Sequence, residues 1–424
     1  MLKESNIDRL HMNTGRRRSA ASTWQSVARR HHGRYRLGLF LLAALLLLPL
    51  YSAQAAIFGG YSEYYIPGPE DEIWNIQVDI DNQAGAPLYL DNTADRMHSI
   101  ISITASGNNT TVYYDHWENG YGFDPNDPEN TYDEKFTLQA GEFLNLENRV
   151  GNPAELVPVT ARPATRTELY YDGADRFYVA GNSVAVSRTL WPGDPVVLTT
   201  FALSWEVYHI KPFLTEYTIP VGEDLDASKG YEDFEQTYVL VMSTEDNNQV
   251  QIDEPDGGGG YGAVDQIDTL DRGQTTTRYH IDAGTRIISQ KPVQVQFIVA
   301  NSRGHFEMRG YVAVPDNLWD NEYYNPVNGD GSGGGYDTDL YIYNPNLAPI
   351  IVTYEDSSGS GVFSVPSRET LAYSDAAAAN RFVPSGSAVY LKSDDVFWAI
   401  GSGDTESTSM DWGVYAFTGQ PVDR

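Results

Sequence analysis

A strand–turn–strand unit recurs in this chain at a fixed distance. Val250 and Gly284 are separated by 34 residues, and so are Val352 and Gly386, 102 residues further on. In one copy YVLVMSTEDNNQVQID (238–253) leads to AGTRIISQKPVQV (283–295); in the next, LYIYNPNLAPIIVTYED (340–356) leads to SGSAVYLKSDDVFW (385–398). A looser copy precedes them, pairing ISITASGNNTTVYYDHW (101–117) with DGADRFYVAGNSVAV (172–186). A unit of about a hundred residues, repeated in this way, predicts a stack of β-modules.

Within the unit an apolar strand runs into an Asx-rich turn: Asn108-Asn109, Asp246-Asn247-Asn248 or Asn344-Pro345-Asn346. Asn and Asp tolerate left-handed geometry and bond their own backbone, so these turns predict a direct passage into a second strand. Runs of four to eight residues rich in Val, Ile, Thr, Tyr and Phe alternate with Gly, Pro, Asn and Asp through the rest of the chain. Val293–Phe297 alternates apolar and polar residues, a pattern that places one face on a core and the other in water. Beyond the leader no segment shows sustained helical periodicity; the short alanine run in 374–380 is the closest. The expected fold class is therefore all-β, about three stacked sandwich-like modules with long loops.

The first copy is irregular. Its Val112–Gly173 interval is 61 residues, which implies an insertion of roughly 27 residues between Glu118 and Arg166. The corresponding boundaries are a leader over 1–55, an N-terminal extension over 56–96, and modules over 97–225, 226–327 and 328–424. Two glycine-rich stretches stand out: 256–262, a hairpin tip, and 328–336, at the junction of the second and third modules.

The leader is basic up to Arg36, continues as an apolar run from Leu37 to Leu50, and ends in Ala53-Gln54-Ala55. That is the order of a cleaved export signal, and the run is short for a bilayer span. The expectation is an extracellular or cell-surface protein, with the periplasm as alternative and no membrane span in the mature chain. Nine of the 28 Lys/Arg and two of the 58 Asp/Glu fall in the leader, leaving a formal charge of −37 on the remainder. Such a balance argues against a nucleic-acid partner, whose phosphates call for Lys and Arg. It is compatible with a calcium-rich exterior. With no cysteine, disulfides, thiol catalysis and cysteine zinc sites are excluded.

Two segments carry candidate chemistry. YYDHWENGY (113–121) places Asp115, His116, Trp117, Glu118 and Tyr121 together at the entrance of the insertion, followed by Asp124, Asp127, Glu129, Asp133 and Glu134. Acid, imidazole and indole groups so arranged suit an aromatic platform for a glycan or protein ligand, a cation-bound loop, or a packed cluster under a long loop. The second is Asn328-x-Asp330-x-Ser332-Gly333 with Asp339 at the twelfth position, which follows the ligand spacing of an EF-hand calcium loop without its flanking helices. Trp191, Trp205, Trp319, Trp398 and Trp412 fall near strand signals and are expected in sandwich cores. There is no G-x-S-x-G, no H-E-x-x-H, no P-loop and no G-x-G-x-x-G, and no catalytic set is assigned.

At YYDHWENGY, at WEVYHIKPFLTEYTIPVGED (205–224) and at the S-x-K-P-V step (289–293) the chain resembles a group of bacterial exported and surface proteins. Their amino-terminal region is similar to the N-terminal domain of the IgG Fc-binding protein family. The resemblance spans roughly 97–414. It implies a surface location and, by the family's name, immunoglobulin binding, though no defined site transfers residue by residue. In that group the region precedes further β-repeats and an anchor, whereas this sequence stops at Arg424, as a released module or a truncated product would. The functional expectation is a non-enzymatic binding or adhesion-type protein. Alternatives are a calcium-dependent carbohydrate-active hydrolase and a structural component of the cell envelope.

Overall fold

The computed structural model describes residues 60–83, 97–117, 120–150, 173–192, 202–225, 231–256, 260–301, 308–325, 338–376, 382–384, 386–403, 415–418 and 420–421. The leader over 1–55 lies outside the described residues. Among the described residues no helix is long and apolar enough to cross a membrane.

The fold is mostly β, and it repeats one topology three times. The first module holds β1 (Tyr61–Tyr65), β2 (Met97–Ala105), β3 (Thr110–Asp115), β4 (Glu134–Leu138), β5 (Phe143–Val150), β6 (Arg176–Ala180), β7 (Val184–Pro192) and β8 (Leu203–Glu206). These form two antiparallel sheets, β1-β6-β3-β4 and β5-β2-β7-β8. The second module holds β9 (Glu216–Thr218), β10 (Gln236–Ser243), β11 (Asn248–Asp253), β12 (Gln266–Leu270), β13 (Tyr279–His280), β14 (Arg286–Ser289), β15 (Val293–Ala300) and β16 (Met308–Val312). Its sheets run β9-β14-β11-β12 and β13-β10-β15-β16, strand for strand the same order. The third holds β17 (Asp320–Asn325), β18 (Thr338–Tyr343), β19 (Ile350–Asp356), β20 (Gly359–Val365), β21 (Thr370–Ala372), β22 (Val389–Gly403), β23 (Tyr415–Thr418) and β24 (Gln420–Pro421). There one long strand, β22, serves both sheets: it pairs β17 and β19 with its first half and β18 and β23 with its second.

The sequence repeat maps onto this topology. Val112, Val250 and Val352 sit on equivalent strands β3, β11 and β19, each buried between two sheets. Asn109 and Asn247 take the left-handed conformation, φ 59° and 50°, so the chain leaves one sheet and enters the other within a few residues. Gly284 and Gly386 do the same before the returning strand, at φ 90° and 65°. In the first module this role shifts by one residue to Ala174, φ 74°, while Gly173 lies against Pro69, whose Cα a side chain there would meet at 2.6 Å. Trp205, Trp319 and Trp398 are buried as expected; Trp191 is half-buried and Trp412 lies outside the described residues.

Several expectations are corrected. The stretch 56–96 is not a mere extension: β1 is an edge strand of the first module, and helix α1 (Glu70–Gln83) follows it. The helix starts with Glu70, Asp71 and Glu72, acids that favour a helix N-terminus, and buries Ile73, Ile76 and Ile80. Module boundaries also move upstream, because β9 pairs with β14 and β17 with β22, so each module begins one strand before the recognisable repeat. The alternation of Val293–Phe297 does not leave a wet face: all of β15 is buried, Gln294 and Gln296 included. The reason is that the sheet carrying β10 and β15 is covered on both sides. Val239, Val241, Phe297 and Val299 belong to the module's own core, whereas Tyr238, Leu240, Ile298 and Ala300 join α1 and the first module in another. Within β22, exposed Asp394, Asp395 and Val396 mark the passage between sheets.

The surplus length of the first module is divided between two connections. Residues 116–133 join β3 to β4, where 357–358 suffice between β19 and β20; residues 151–175 join β5 to β6, where 281–285 suffice between β13 and β14. Of the longer of these, 151–172 lies outside the described residues.

Candidate functional site

The end of β3 and the loop after it form a charged cluster turned inward. Asp115 is 1% exposed and accepts the backbone N–H of Gly122 at 3.0 Å and of Phe123 at 3.2 Å. Arg176, on neighbouring β6, places Nε and Nη2 each 2.7 Å from Asp115 Oδ2. Burial pushes the Asp115 carboxyl up, and the guanidinium works against that shift. One carboxylate thus ties the loop back to the strand it left and to the strand beside it.

His116 stands between two acids. Its Nδ1 lies 3.0 Å from Asp175 Oδ2 and its Nε2 2.9 Å from Glu134 Oε1, while its backbone N–H donates to Asp133 Oδ2 at 2.8 Å. Two ring N–H donors serve two carboxylates only when the imidazole is doubly protonated. The contact with His116 lowers the Glu134 carboxyl below its usual range. Asp175, wholly buried, also accepts the Trp117 N–H at 2.9 Å.

Trp117 has no exposed surface and packs with Tyr65, Ala174 and Met242, the last from β10 of the second module. Tyr121 donates its hydroxyl to the Ala174 carbonyl at 2.5 Å and lies under Arg176, 4.5 Å from ring centroid to guanidinium. The structure therefore gathers Asp115, His116, Trp117 and Tyr121 into one cluster; Glu118 lies outside the described residues. Glu134, one of the acids that follow the segment, completes the cluster with Asp175 and Arg176, which the sequence alone does not single out. The signal for the last two is the repeat itself, since they follow Gly173, the partner of Gly284.

Beneath the loop lies a buried aromatic cluster, with half-buried rings and acids at its rim. Phe123 stacks on Tyr178 at 4.2 Å, beside Tyr113, with half-buried Tyr61 and Tyr132 at the margins. Glu129 at the rim accepts the Tyr113 hydroxyl at 2.9 Å and pairs with Lys135 at 2.7 Å. Asp124 and Asp127 bond Asn126 and Asn130 within the loop.

Of the candidate calcium ligands, Asn328, Asp330 and Ser332 lie outside the described residues. Asp339, the second residue of β18, has no exposed surface and accepts bonds from the N–H of Leu340 at 2.8 Å and of Ser374 at 3.0 Å, and from the Ser374 hydroxyl at 2.5 Å. Burial pushes its carboxyl up to about 7. Among the described residues no three carboxylates or imidazoles are grouped to hold a metal ion. In the His116 cluster the imidazole stands between its acids, so they do not converge on a common point.

The other two segments of the resemblance serve the scaffold. In 217–224, Gly222 has no room for a side chain, because a Cβ would come within 2.1 Å of the Asp282–Ala283 backbone. Around it Gly284 N–H donates to the Ile219 carbonyl at 2.7 Å, Glu223 N–H to the Ile281 carbonyl at 3.0 Å, and Ala283 N–H to Asp224 at 2.7 Å. In 289–293 the side chain of Asn248 holds the crossover from β14 to β15, accepting from Lys291 N–H at 2.9 Å and donating to its carbonyl at 3.0 Å. No protein-family model matches the chain, and no curated protein matches it in sequence.

Proposed function

We propose that the chain is an exported or cell-surface binding protein without a catalytic role, whose ligand is an extracellular protein or glycan. The observation that carries this reading is the rigid mounting of the 116–133 loop. Asp115, Asp175 and Asp133 hold four of its backbone N–H groups, between Asp115–Arg176 on one side and the buried Trp117 on the other. A loop fixed this firmly over the buried Phe123 presents Tyr132 beside Tyr61 of β1 at little entropic cost on binding, the usual advantage of a pre-organised aromatic surface. Both ring nitrogens of His116 are engaged by carboxylates, an arrangement suited to anchoring. The basic-then-apolar leader and the resemblance to exported surface proteins support the location.

The test is a glycan array and a serum-protein pull-down with the parent and a Tyr61→Ala/Tyr132→Ala variant, both side chains being only half-buried. The expected outcome is a captured ligand whose affinity drops at least about tenfold in the variant, with its melting temperature unchanged. Equal capture by both proteins removes the loop as the site, and no capture by either counts against the binding reading. Repeating the assay with EDTA separates a calcium-dependent ligand from an independent one.

A further inference from the structure

A cavity of about 370 Å³ opens where the chain passes from the first module to the second, and it shares no residue with the 116–133 loop. Its walls include Val207, Phe213 and Leu214 of the connecting stretch and Val295, Val314 and Leu318 of the second module. The frame is fixed by backbone bonds: Ile210 N–H to the Glu63 carbonyl at 2.8 Å, Val293 N–H to Leu214 at 2.8 Å and Ala313 N–H to Val295 at 2.9 Å. The cavity is therefore pre-formed, and its volume lies in the range of small-molecule sites. Liquid water would fill it with about a dozen molecules at about 30 Å³ each. Against a mainly apolar wall those waters are poorly bonded and readily displaced.

Two side chains at this cavity stand out as uncovered. Tyr208 and Leu318, from different segments, are 42% and 46% exposed, although large apolar groups in this fold are mostly buried. Lys211 lies beside them, its Nζ 5.6 Å from the centre of the Phe213 ring. Among the described residues no carboxylate forms an ion pair with it. In a chain with 58 acidic and 28 basic residues, a lysine left without an acid beside an apolar cavity calls for an explanation. Glu206, also on the cavity, is a carboxylate that accepts the Tyr208 hydroxyl at 3.1 Å. His209 is held towards its neutral form by burial and then by Lys211. Among the residues lining the cavity Lys211 is the one Lys or Arg, so its ammonium is the group able to pair with an acid.

We infer that this cavity binds a small organic anion with one compact aromatic or branched aliphatic body, its acidic group on Lys211 and its body against Phe213, Leu214 and Val295. The inference is independent of the macromolecular ligand proposed for the first module's loop.

Titration calorimetry on the full protein with 3-phenylpropionate, 3-phenylpropanamide and 3-phenylpropylamine tests it, since the three share a body and differ in charge. The acid is expected to bind at least about tenfold more tightly than the amide, with the amine weakest, as one charge-assisted hydrogen bond dictates. Lys211→Gln should bring the acid to the level of the amide. Leu318→Glu, at a half-exposed position, should abolish acid binding by placing a like charge at the rim, and both variants should melt like the parent. Equal affinity for acid and amide, acid binding that survives Lys211→Gln, or no heat from any of the three compounds overturns the inference.

Discussion

Arg188 of β7 closes on Glu70 at the first turn of α1, and neither side chain has any exposed surface. The guanidinium also donates to the Pro67 carbonyl at 2.6 Å and to Ser99 Oγ at 3.2 Å, while Glu70 accepts the Gly173 N–H at 3.2 Å. This pair bolts the helix to the sheet it covers, and the same helix packs on the face of the β10–β15 sheet turned away from the second module's own core. Removing one partner leaves a buried charge uncompensated. Glu70→Gln or Arg188→Met should therefore cost about 3–5 kcal/mol, measured by denaturant unfolding. A combined Glu70→Gln/Arg188→Met variant should recover part of that loss, because neither charge then remains. Additive losses in the double variant would show that the two residues act separately.

Gly222 yields a sharper expectation. A methyl group there meets backbone rather than a movable side chain, so the segment has to shift away from residues 282–283. Gly222→Ala should destabilise by about 3 kcal/mol, the upper end of overpacking. Gly260→Ala, with nothing within 4 Å of the added carbon, is the control and should stay within about 0.5 kcal/mol. A Gly222→Ala protein as stable as the control would mean that this segment is looser than its contacts imply.

These residues also show what a sequence can carry. The stack of modules is legible because local chemistry enforces it: Asn109 and Asn247 turn left-handed, and Val112, Val250 and Val352 enter a core each time. The mates of each module are less legible. Gln294 and Gln296 read as a wet face, and only the first module's position against β15 makes them buried. Helix α1 is marked by Glu70-Asp71-Glu72 and by isoleucines at 73, 76 and 80, but Asn75, Gln77 and Asp79 dilute that stripe. At the loop, Asp115, His116 and Trp117 are consecutive in the sequence. Their inward direction depends on Arg176 and Asp175, about sixty residues away, which no local pattern connects to them.

Stability should fall as pH rises between about 4 and 7. Burial lifts the carboxyls of Asp71 and Asp339 to about 7 and those of Asp316 and Glu254 to about 6. In that window the native state holds protons that the unfolded chain has lost, so each step up in pH favours unfolding. His280, raised first by its hydrogen bond with Glu223, acts in the same direction: its contribution is complete below its unfolded pKa and is lost as pH rises through the folded one. His209, lowered by burial, acts in the opposite direction and alone does not offset the four acids. The melting temperature is expected to be at least about 2 °C higher at pH 5.5 than at pH 7.5. Asp339→Asn should flatten the slope, since the amide still accepts from Leu340 and Ser374 and can donate to the Ser374 hydroxyl. A melting temperature that is level or rises over this interval would contradict the assignment.

The His116 cluster separates burial from charge as the source of the loop's rigidity. Asp175 is wholly buried and serves two donors, so Asp175→Asn breaks a charged bond where no water replaces it. Its expected cost is about 2–3 kcal/mol. Glu134 holds the same imidazole from the other side, but its side chain is 42% exposed, and Glu134→Gln should cost under about 1 kcal/mol. Hydrogen exchange supplies the local readout. In Asp175→Asn the amide of Trp117, which Asp175 holds, should exchange faster, while those of Gly122 and Phe123, held by Asp115, and those of β10 stay as in the parent. If the two substitutions loosen the loop equally, charge outweighs burial at this site. If neither loosens it, the loop is held by the packing of Trp117 and Phe123 and not by the carboxylates around His116.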